Sequence, residues 1–338
     1  MNTMDVSVPS SLLKTLPYRT IRMQEKLEIF NEKLRSAQTV AIFAHKNLDG
    51  DAMCSVLALG RLIELNYGLR PVCVYDGNLP DSLDNMPLRP RIKFFGNVDL
   101  SEPVDVAIVL DYGTAKNIGG PLNVAERAKF VIEIDHHKND ETIGNLCIDD
   151  DTAVATGQIL YRMMVAENWQ YDMDVLNLLA VALITDTGYL KFIHDGEPLR
   201  IIADLVDKGV KIRPLMESMN NKERKTVLTE ASIVANTEFF YHHKLALAIV
   251  PHKSYKYLDG RGEMILSMLG QIKDVQYIVL LKHQKENQIG VSIRSRSKPI
   301  NHIAVALGGG GHLCAAGAVV ADTLDNVRAK ILELFKGE

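Results

Sequence analysis

The sequence predicts an α/β protein of two domains: an N-terminal domain built on a parallel sheet, followed by a smaller α/β domain. Three observations lead to this prediction. The chain has 338 residues, about twice the usual length of one domain. Short β-branched runs alternate with helix-like stretches in its first half. A second series of such runs follows a more polar helical segment.

Helical and strand patterns alternate along the first half of the chain. Apolar residues recur at helical spacing in four stretches, at residues 21–34, 52–65, 153–167 and 174–184. The short β-branched runs predicted to be strands are TVAIFA (39–44), PVCVY (71–75), VDVAIVL (104–110) and FVIEI, which ends at Ile134. This alternation is typical of a parallel sheet with helices on both faces.

The second half is predicted to be a smaller domain reached through a helical connection. Residues 197–238 are helical in pattern but more polar, and they separate a first domain at 21–196 from a second at 239–338. Strand-like runs in the second domain lie at residues 245–250, 277–281, 289–295 and 317–321. An amphipathic helix that ends near Phe335 completes this domain.

The charge balance limits the ligands that the chain can hold. Lys and Arg number 38 against 42 Asp and Glu, which gives a formal net charge of −4. Long nucleic acids are bound largely through many cationic contacts to phosphates, and this chain has no net positive field for them. We therefore expect any polyanionic ligand to be short, and no long nucleic acid among the partners.

The cysteines and the N-terminal residues favour a cytoplasmic protein. The four cysteines contain no CxxC pair, which argues against a zinc ribbon or a disulfide framework; they are Cys54, Cys73, Cys147 and Cys314. We predict that they are reduced and mostly buried thiols. The first residues lack a basic segment followed by an apolar core, and no apolar run approaches the ~18 residues of a membrane span.

Acidic and imidazole side chains follow three of the predicted strands at the point where each strand ends. They are His45, Asp49 and Asp51 after the first run, Asp111 after the third, and Asp135, His136 and His137 after the fourth. Because the carboxyl ends of parallel strands meet at one edge of a sheet, three distant loops bring these groups together. Asp186, after the apolar stretch LLAVALI, can join them.

Such a concentration of carboxylates requires a positive partner, because like charges a few ångströms apart cannot all stay ionised. Asp and His ligands favour Mn²⁺, with Mg²⁺, Fe²⁺ or Co²⁺ as alternatives, and six ligands suffice for two ions that share one carboxylate. A single Asp after a strand is more often a turn or helix cap. Four of them, with the patterns HxxxDxD and DHH, favour the metal site.

The pair His242 and His243 has no acids nearby, so we predict a solvated strand end without a role.

The second domain contains a candidate anion site in GGGGHLCAAG, at residues 308–317. Consecutive glycines can turn backbone N–H groups toward an anion in a concave nest. The preceding RSRSK, at residues 294–298, supplies guanidinium groups suited to phosphate. A flexible turn is the alternative interpretation of a glycine run. The nearby Arg294, Arg296 and His312 favour the anion site.

Six ordered motifs carry a family resemblance over residues 25–335. They are HKNLDGDAMCS (45–55), VLDYG (109–113), IDHH (134–137), ITDTG (184–188), VSIRSR (291–296) and GGGGHLCAAG (308–317). In these residues the sequence resembles the DHH phosphoesterase family, in the subfamily that joins a DHH domain to a DHH-associated C-terminal domain. In size and motif spelling it is most similar to the nano-RNase and pAp phosphatase group.

The resemblance implies six metal ligands and a substrate site. One Mn²⁺ would be held by His45 and Asp49 and the other by Asp51, His136 and Asp186, with Asp111 bridging the two. His137 would face the substrate as the electrophilic or proton-donating group, and Asp135 would support the histidines. The substrate's non-scissile phosphate or terminal nucleotide would be held by Arg294, Gly309, Gly310, Gly311 and His312.

The implied function is Mn²⁺-dependent hydrolysis of short oligonucleotides to mononucleotides, with pAp as a further candidate substrate. A phosphodiesterase for cyclic di-AMP or a linear dinucleotide is an alternative, whereas the GGGGH signature disfavours a manganese pyrophosphatase. An alternative from another class is a non-catalytic nucleotide-sensing module, against which the intact ligand set argues. We expect no membrane partner, and a homodimer is compatible with the sequence.

Overall fold

The computed structural model describes residues 21–138, 141–219, 222–258 and 262–337 of the chain. Contacts divide the protein into two units, one that ends at Asn220 and one that begins at Asn221. Both units are α/β, as the sequence predicts. Within the described residues, no helix combines the length and the apolar character needed to cross a membrane.

The first unit contains a six-stranded parallel sheet. Its strands are β1 Val40–Phe43, β2 Val72–Tyr75, β3 Lys93–Phe94, β4 Val106–Leu110, β5 Phe130–Ile134 and β6 Leu146–Cys147. They lie in the order β3-β2-β1-β4-β5-β6, and every neighbouring pair is parallel. The four inner strands fall within the predicted runs. The two edge strands were not predicted, because two residues are too few to form a recognisable pattern.

Helices cover both faces of this sheet. They are α1 Ile21–Ser36, α2 Gly50–Tyr67, α3 Ala115–Ile118, α4 Leu122–Arg127, α5 Thr156–Ala166, α6 Met173–Asp186, α7 Glu197–Asp207 and α8 Ile212–Met219. Side chains alternate along the strands, so that Ile42 packs into one apolar core and Phe43 into the other. Every residue of α2 from Gly50 to Gly60 is buried, which explains the few polar positions in that helix.

A glycine brings two helix ends together at the carboxyl edge of the sheet. A Cβ atom on Gly50, the first residue of α2, would come within 2.4 Å of Thr185 Oγ1 near the end of α6. The absence of a side chain therefore allows the start of α2 to lie against the end of α6. Asp49 and Asp51 belong to the first of these helix ends, and Asp186 belongs to the second.

The second unit contains a mixed six-stranded sheet. Its strands are β7 Glu238–Phe240, β8 Leu245–Val250, β9 Tyr277–Lys285, β10 Gln288–Ser295, β11 Gly310–His312 and β12 Ala315–Val320. Its helices are α9 Arg224–Ala235, α10 His252–Tyr255, α11 Glu263–Gly270, α12 Asn301–Ala306 and α13 Leu324–Phe335. The strand order is β11-β12-β10-β9-β8-β7, in which β8 and β9 are parallel and the other neighbours are antiparallel. The segment predicted to be a helical connection contains α7, α8 and α9, and the first two of these helices belong to the first unit.

All four cysteines are free thiols, as predicted. Cys54 and Cys73 are buried, whereas Cys147 and Cys314 are only partly buried. Burial raises the pKa of Cys73 to about 12, so this thiol is not poised for reaction.

Candidate metal centre

The structure brings all eight acidic and imidazole residues of the predicted site together. Their ligand atoms fall into three groups, and within each group these atoms lie within 4.8 Å of one another. The groups are His45 with Asp49 and Asp111, then Asp51 with His136 and Asp186, and finally Asp111 with Asp135, His136 and His137. Asp111 belongs to two groups, which places it at the middle of the cluster. The assignment of metal ligands within it remains a prediction.

His45 presents its Nε2 atom to two carboxylates. Its Nδ1 lies 3.0 Å from the carbonyl oxygen of Lys46, and because a carbonyl only accepts, Nδ1 carries the proton. Nε2 then lies 3.5 Å from Asp49 Oδ2 and 3.8 Å from Asp111 Oδ2. Burial acts to lower the pKa of His45, but the interactions with Asp49 and Asp111 raise it to about 9. This position of the ring therefore favours a positive charge beside Nε2.

Asp111 occupies a strained backbone position directly after β4. Its φ is +45°, which is unusual for a residue with a side chain, and its N–H donates to the carbonyl of Ile134 at 3.1 Å. The side chain is almost fully buried, with Oδ1 3.3 Å from His136 Nε2 and 3.5 Å from His137 Nδ1. Among the described residues, Oδ1 has no well-aligned hydrogen-bond donor. A buried carboxylate oxygen without a donor indicates a missing positive partner.

Asp49 and Asp51 act as helix caps and also face the cluster. Asp49 is the N-cap of α2, where its side chain accepts a backbone N–H of the first turn. Asp51 accepts the backbone N–H of Thr156 at 2.6 Å and that of Gly157 at 3.0 Å, at the start of α5, together with the hydroxyl of Ser55 at 2.9 Å. The interpretation as caps and the interpretation as ligands are therefore compatible, because each oxygen has two lone pairs.

The carboxylates near His136 are short of positive charge. Asp186 is the last residue of α6, where the helix dipole disfavours an anion, and its Oδ2 lies 3.5 Å from His136 Nε2. Burial and Asp111 raise the pKa of Asp186 to about 7, and the same two causes raise the pKa of Asp51 well above its usual value. Burial acts to lower the pKa of His136, but Asp111 and Asp186 raise it to about 10. Bound divalent cations would replace the protons that these shifts favour.

Asp135 is completely buried and serves a different purpose from the other carboxylates. Oδ2 accepts the backbone N–H groups of Tyr112 and Gly113, at 3.1 and 2.8 Å, while Oδ1 faces His137. Burial acts to raise the pKa of Asp135, but the interactions with His137 hold it well below its usual range. Four donors already surround this carboxylate, so it orients its neighbours rather than standing open to a ligand.

The donor set of the cluster fits divalent cations. It offers imidazole nitrogens and carboxylate oxygens without thiolates, and it contains a buried oxygen on Asp111 without a donor. The pKa values of two of its carboxylates, Asp51 and Asp186, are raised. Mn²⁺, Mg²⁺, Fe²⁺ and Co²⁺ all accept such donors.

In the second unit, Arg294 and His312 occupy one row across three strands. Arg294 of β10 is opposite Ala315 of β12, and Ala315 is opposite His312 of β11. Opposite residues of antiparallel strands share a face of the sheet, so Arg294 and His312 belong to one face. The Arg294 guanidinium donates to Glu263 Oε1 at 2.6 Å and remains partly exposed. The side chain of His312 lies outside what the structure describes.

The glycine run of residues 308–311 leads into the edge strand β11, which contains Gly310 and Gly311, and the anion site at this run stays a prediction. A Cβ atom on Gly309 would lie 2.1 Å from the carbonyl oxygen of Gly317, and one on Gly311 would lie 2.6 Å from Ala316 Cα. These two glycines are therefore required by close pairing of the strands. No heavy atom of the described residues comes within 4 Å of a Cβ built on Gly310, so this position leaves space above the sheet.

Lys282 is a cationic residue that the sequence analysis missed. It lies on β9 opposite Gly290 of β10, is almost fully buried, and donates from Nζ to Ser292 Oγ at 2.9 Å. Alternation along β10 places Ser292 on the same face as Arg294. The available signal was a lysine directly after the apolar residues YIVLL of β9. Arg296, by contrast, donates to the carbonyls of Gly270 and Ile272 at the end of α11, which is a structural role.

His242 and His243 lie in an exposed turn between β7 and β8 of the second unit. Both have positive φ angles, 56° and 66°, as does the preceding Tyr241. The exposed turn agrees with the prediction of a solvated strand end, and the absence of a role for this pair stays a prediction.

Two domain families match the chain. The DHH family N-terminal domain matches residues 39–183, and the DHHA1 domain matches residues 255–337. The first of these segments contains seven of the eight clustered residues, and Asp186 follows directly after it.

Curated relatives match over nearly the full length of the chain. A protein of Thermus thermophilus named bifunctional oligoribonuclease and PAP phosphatase NrnA is 26% identical, over 94% of this chain and 95% of its own. The protein of the same name from Bacillus subtilis is 23% identical, over 88% and 95%. Among solved structures, an exopolyphosphatase-related protein from Bacteroides fragilis has a TM-score of 0.84 at 22% identity, covering 92% of this chain and 95% of that one. The last comparison supports the fold.

Proposed function

From the premise that the chain belongs to the DHH family and carries a DHHA1 domain, we propose that it is a divalent-metal-dependent phosphoesterase. Its proposed substrates are short oligonucleotides, which it hydrolyses to mononucleotides, and pAp. The observation that carries the proposal is the convergence of imidazole and carboxylate groups on the buried Asp111. The relatives named as oligoribonuclease and PAP phosphatase match nearly the whole chain, which supports this substrate class.

We propose that the cluster holds two Mn²⁺ ions. His45 and Asp49 would bind one ion, Asp51, His136 and Asp186 the other, and Asp111 would be shared. When bound, two such ions supply a hydroxide nucleophile near neutral pH and stabilise charge on the phosphoryl oxygens. The first turns of α2 and α5 hold Asp49 and Asp51 in place, so these ligands are ordered before any substrate arrives.

His137 is proposed to contact the reacting phosphate. Asp135 fixes the ring through Nδ1, and raises the pKa of His137 against the opposing effect of burial. A histidine that retains its proton can donate a hydrogen bond to a phosphoryl oxygen or a proton to the leaving group. Asp135 would act through this histidine and not on the substrate itself.

The second unit is proposed to bind a part of the substrate that does not react. Arg294, Gly310 and His312 share one face of its sheet, and Lys282 adds a second cation to that face. A guanidinium group can bind a phosphate with two hydrogen bonds, and the open position at Gly310 allows a nucleotide to approach the backbone. Gly309 and Gly311 would contribute by holding β11 against β12.

The test is a hydrolysis panel with Mn²⁺, comparing linear dinucleotides, pentanucleotides, pAp and cyclic di-AMP, with Asp111→Ala as the inactive control. We expect the linear substrates and pAp to be hydrolysed to mononucleotides and the control to be inactive. If cyclic di-AMP is cleaved faster than its linear dinucleotide, the protein is a messenger phosphodiesterase instead. Tight binding of nucleotides without turnover would identify a sensing module.

A further inference from the structure

A second group of potential metal ligands lies at the edge of the parallel sheet, apart from Asp111. Glu133 of β5 and Cys147 of β6 are paired in the register of these two strands, and Asp149 follows two residues after Cys147. The thiol and one oxygen of each carboxylate lie within 4.8 Å of one another. No step of the proposed reaction uses these three side chains.

Glu133 is built into the fold so that one oxygen stays available. Its side chain is fully buried, and Oε2 accepts the Tyr112 hydroxyl at 3.0 Å and the backbone N–H groups of Ile143 and Gly144, each at 2.9 Å. A Cβ atom on Gly144 would come within 3.1 Å of Glu133 Cγ, so this loop lies directly on the side chain. Three donors on Oε2 fix the carboxylate. Oε1 is buried, and no described residue gives it a hydrogen bond of normal geometry.

Asp149 resembles Glu133 in having a buried oxygen, Oδ1, without a hydrogen-bond donor among the residues that the structure describes. Burial and Glu133 raise the pKa of Asp149 to about 7, although the Lys26 ammonium acts in the opposite direction. Burial and the interaction with Glu133 raise the pKa of the Cys147 thiol to about 12. Two buried carboxylate oxygens without donors are energetically unfavourable unless a proton or a metal cation lies between them.

We propose that Glu133, Cys147 and Asp149 form a binding site for a thiophilic divalent cation of the Zn²⁺ and Co²⁺ class. One thiolate and two carboxylate oxygens give three protein ligands, and water would occupy the fourth position of a tetrahedral site. Ligand atoms in such a site lie about 3.5 Å apart. The ligand atoms lie within 4.8 Å of one another, and because Cys147 and Asp149 are both only partly buried, their side chains have room to rotate toward this shorter separation. Binding releases the proton of the Cys147 thiol and any proton on Asp149 to solvent.

A backbone hydrogen bond links this site to the metal cluster at the carboxyl edge of the sheet. The backbone N–H of Asp150 donates to the carbonyl oxygen of Asp135 at 3.0 Å, and Asp135 orients His137. A cation held by Glu133 and Asp149 would therefore stabilise the end of β5 that carries Asp135. Its donor set includes sulfur, so its metal preference differs from that of the Asp and His cluster.

The experiment is a Co²⁺ titration of the full chain followed by absorption spectroscopy. Cobalt bound to histidine and carboxylate gives only weak visible bands, whereas a thiolate ligand adds a strong near-ultraviolet charge-transfer band. We expect this band in the wild-type protein and in Asp111→Ala, its loss in Cys147→Ser, and its retention in the matched control Cys314→Ser. Added Zn²⁺ should abolish the band by displacing the cobalt. Absence of the band in the wild-type protein, or its persistence in Cys147→Ser, overturns the proposal.

Two further variants test the carboxylates. Asp149→Asn and Glu133→Gln should each weaken Co²⁺ binding, measured at this band, by at least about tenfold. Because Glu133 is fully buried, its substitution also perturbs the packing of the fold. Asp149 is only partly buried, so weaker Co²⁺ binding in Asp149→Asn reports the loss of a ligand rather than a loss of folded protein. Unchanged affinity in Asp149→Asn, with a wild-type circular dichroism spectrum, would contradict its assignment as a ligand.

Discussion

One oxygen of Asp135 accepts two hydrogen bonds from His137, from its backbone N–H at 3.0 Å and from Nδ1 at 2.7 Å. The other oxygen accepts two backbone N–H groups from the loop after β4. The carboxylate therefore joins the ends of two neighbouring strands and fixes the ring of His137 between them. This arrangement predicts a positioning role for Asp135 and a direct role for His137.

We expect Asp135→Asn to lower kcat for a dinucleotide by about 10- to 100-fold, with KM and bound Mn²⁺ nearly unchanged. An amide presents one N–H₂ group to a site that contains only donors, so His137 loses its fixed orientation. The double variant with His137→Ala should be no slower than His137→Ala alone, because Asp135 acts through that histidine. Losses that multiply in the double variant, or loss of metal in Asp135→Asn, would refute this role.

Asp111→Ala is expected to lose nearly all turnover, by at least about 100-fold, because it removes the one carboxylate shared by two groups of the cluster. The control is His242→Ala, in the exposed turn of the second unit, which should stay within about twofold of wild type. Chelation of the divalent metal should have the same effect as Asp111→Ala. Full activity in excess chelator would exclude a metal-dependent reaction.

Arg294→Ala is expected to raise KM for a pentanucleotide by about tenfold, the value of one charge-assisted hydrogen bond to phosphate. A minimal phosphodiester reporter, which lacks a distant phosphate, should be affected much less. Arg328→Ala is the matched control, because Arg328 also forms a 2.6 Å ion pair, with Glu238, in the same unit and at similar exposure. An equal loss on both substrates would mean that Arg294 does not recognise the remote part of the substrate.

The inner strands and the cluster could be predicted because they follow from local pattern and one topological rule. Three of the β-branched runs of the first domain end beside the acids and histidines of the cluster, and parallel strands bring such ends to one edge. The approach of Asp186 to Asp51 was harder to foresee, since it depends on the absence of a side chain at Gly50. Nothing in the local sequence indicates which glycine of a helix permits close packing.

Other features depend on register, which a single sequence does not reveal. Glu133 lies within a run read as a buried strand, and its pairing with Cys147 requires the two-residue strand β6. Gly309 and Gly311 were interpreted as a nest because consecutive glycines permit that geometry, yet here they allow an edge strand to pair closely. Lys282 becomes a candidate ligand-binding residue only when β9 and β10 are aligned.

We expect protonation of Glu64, in α2, to account for part of the loss of stability of the fold at low pH. Its carboxylate accepts from Arg91 at 2.8 and 3.0 Å and from Arg61 at 2.5 Å. The hydrogen bond with Arg91, then that with Arg61, lowers the pKa of Glu64 to about 2 against the effect of burial. A depressed pKa in the folded state gives stability that is present above about pH 4.5 and is lost as the pH falls toward 2.

Glu64→Gln should therefore reduce the free energy of unfolding by about 1–2 kcal/mol at pH 7, allowing for solvent screening, and by clearly less at pH 3. Urea unfolding at the two pH values measures the difference. Glu32→Gln is the control, because Glu32 is well exposed and its only described ion pair is with the adjacent Lys33. If Glu64→Gln lowers the free energy of unfolding by the same amount at both pH values, the ionised Glu64 carboxylate is not the source of the acid sensitivity.

Substrate length is expected to limit turnover. The chain has a net charge of −4, and the cations on the proposed substrate face of the second unit are Arg294 and Lys282, which suffice for one or two phosphates. A longer RNA would continue over surface without a net positive field, so each further phosphate adds repulsion and little binding. We therefore expect kcat/KM to fall steeply beyond about five nucleotides, the length that a few cationic and backbone contacts can hold.

The measurement compares kcat/KM for RNAs of two, five and twenty nucleotides at a low and a moderate salt concentration. Most phosphates of the twenty-mer would lie outside the proposed face and would be repelled by the acidic protein surface. Salt screens this repulsion. Added salt should therefore weaken binding of the five-mer, whose phosphates are proposed to contact Arg294, and should narrow the difference in kcat/KM between the two substrates. Arg294→Ala should reduce the salt sensitivity of the five-mer by about half, because that guanidinium is one of the two cations proposed to displace counterions on binding. Equal cleavage of the twenty-mer and the five-mer at low salt would show that a further cationic path for RNA exists on this protein.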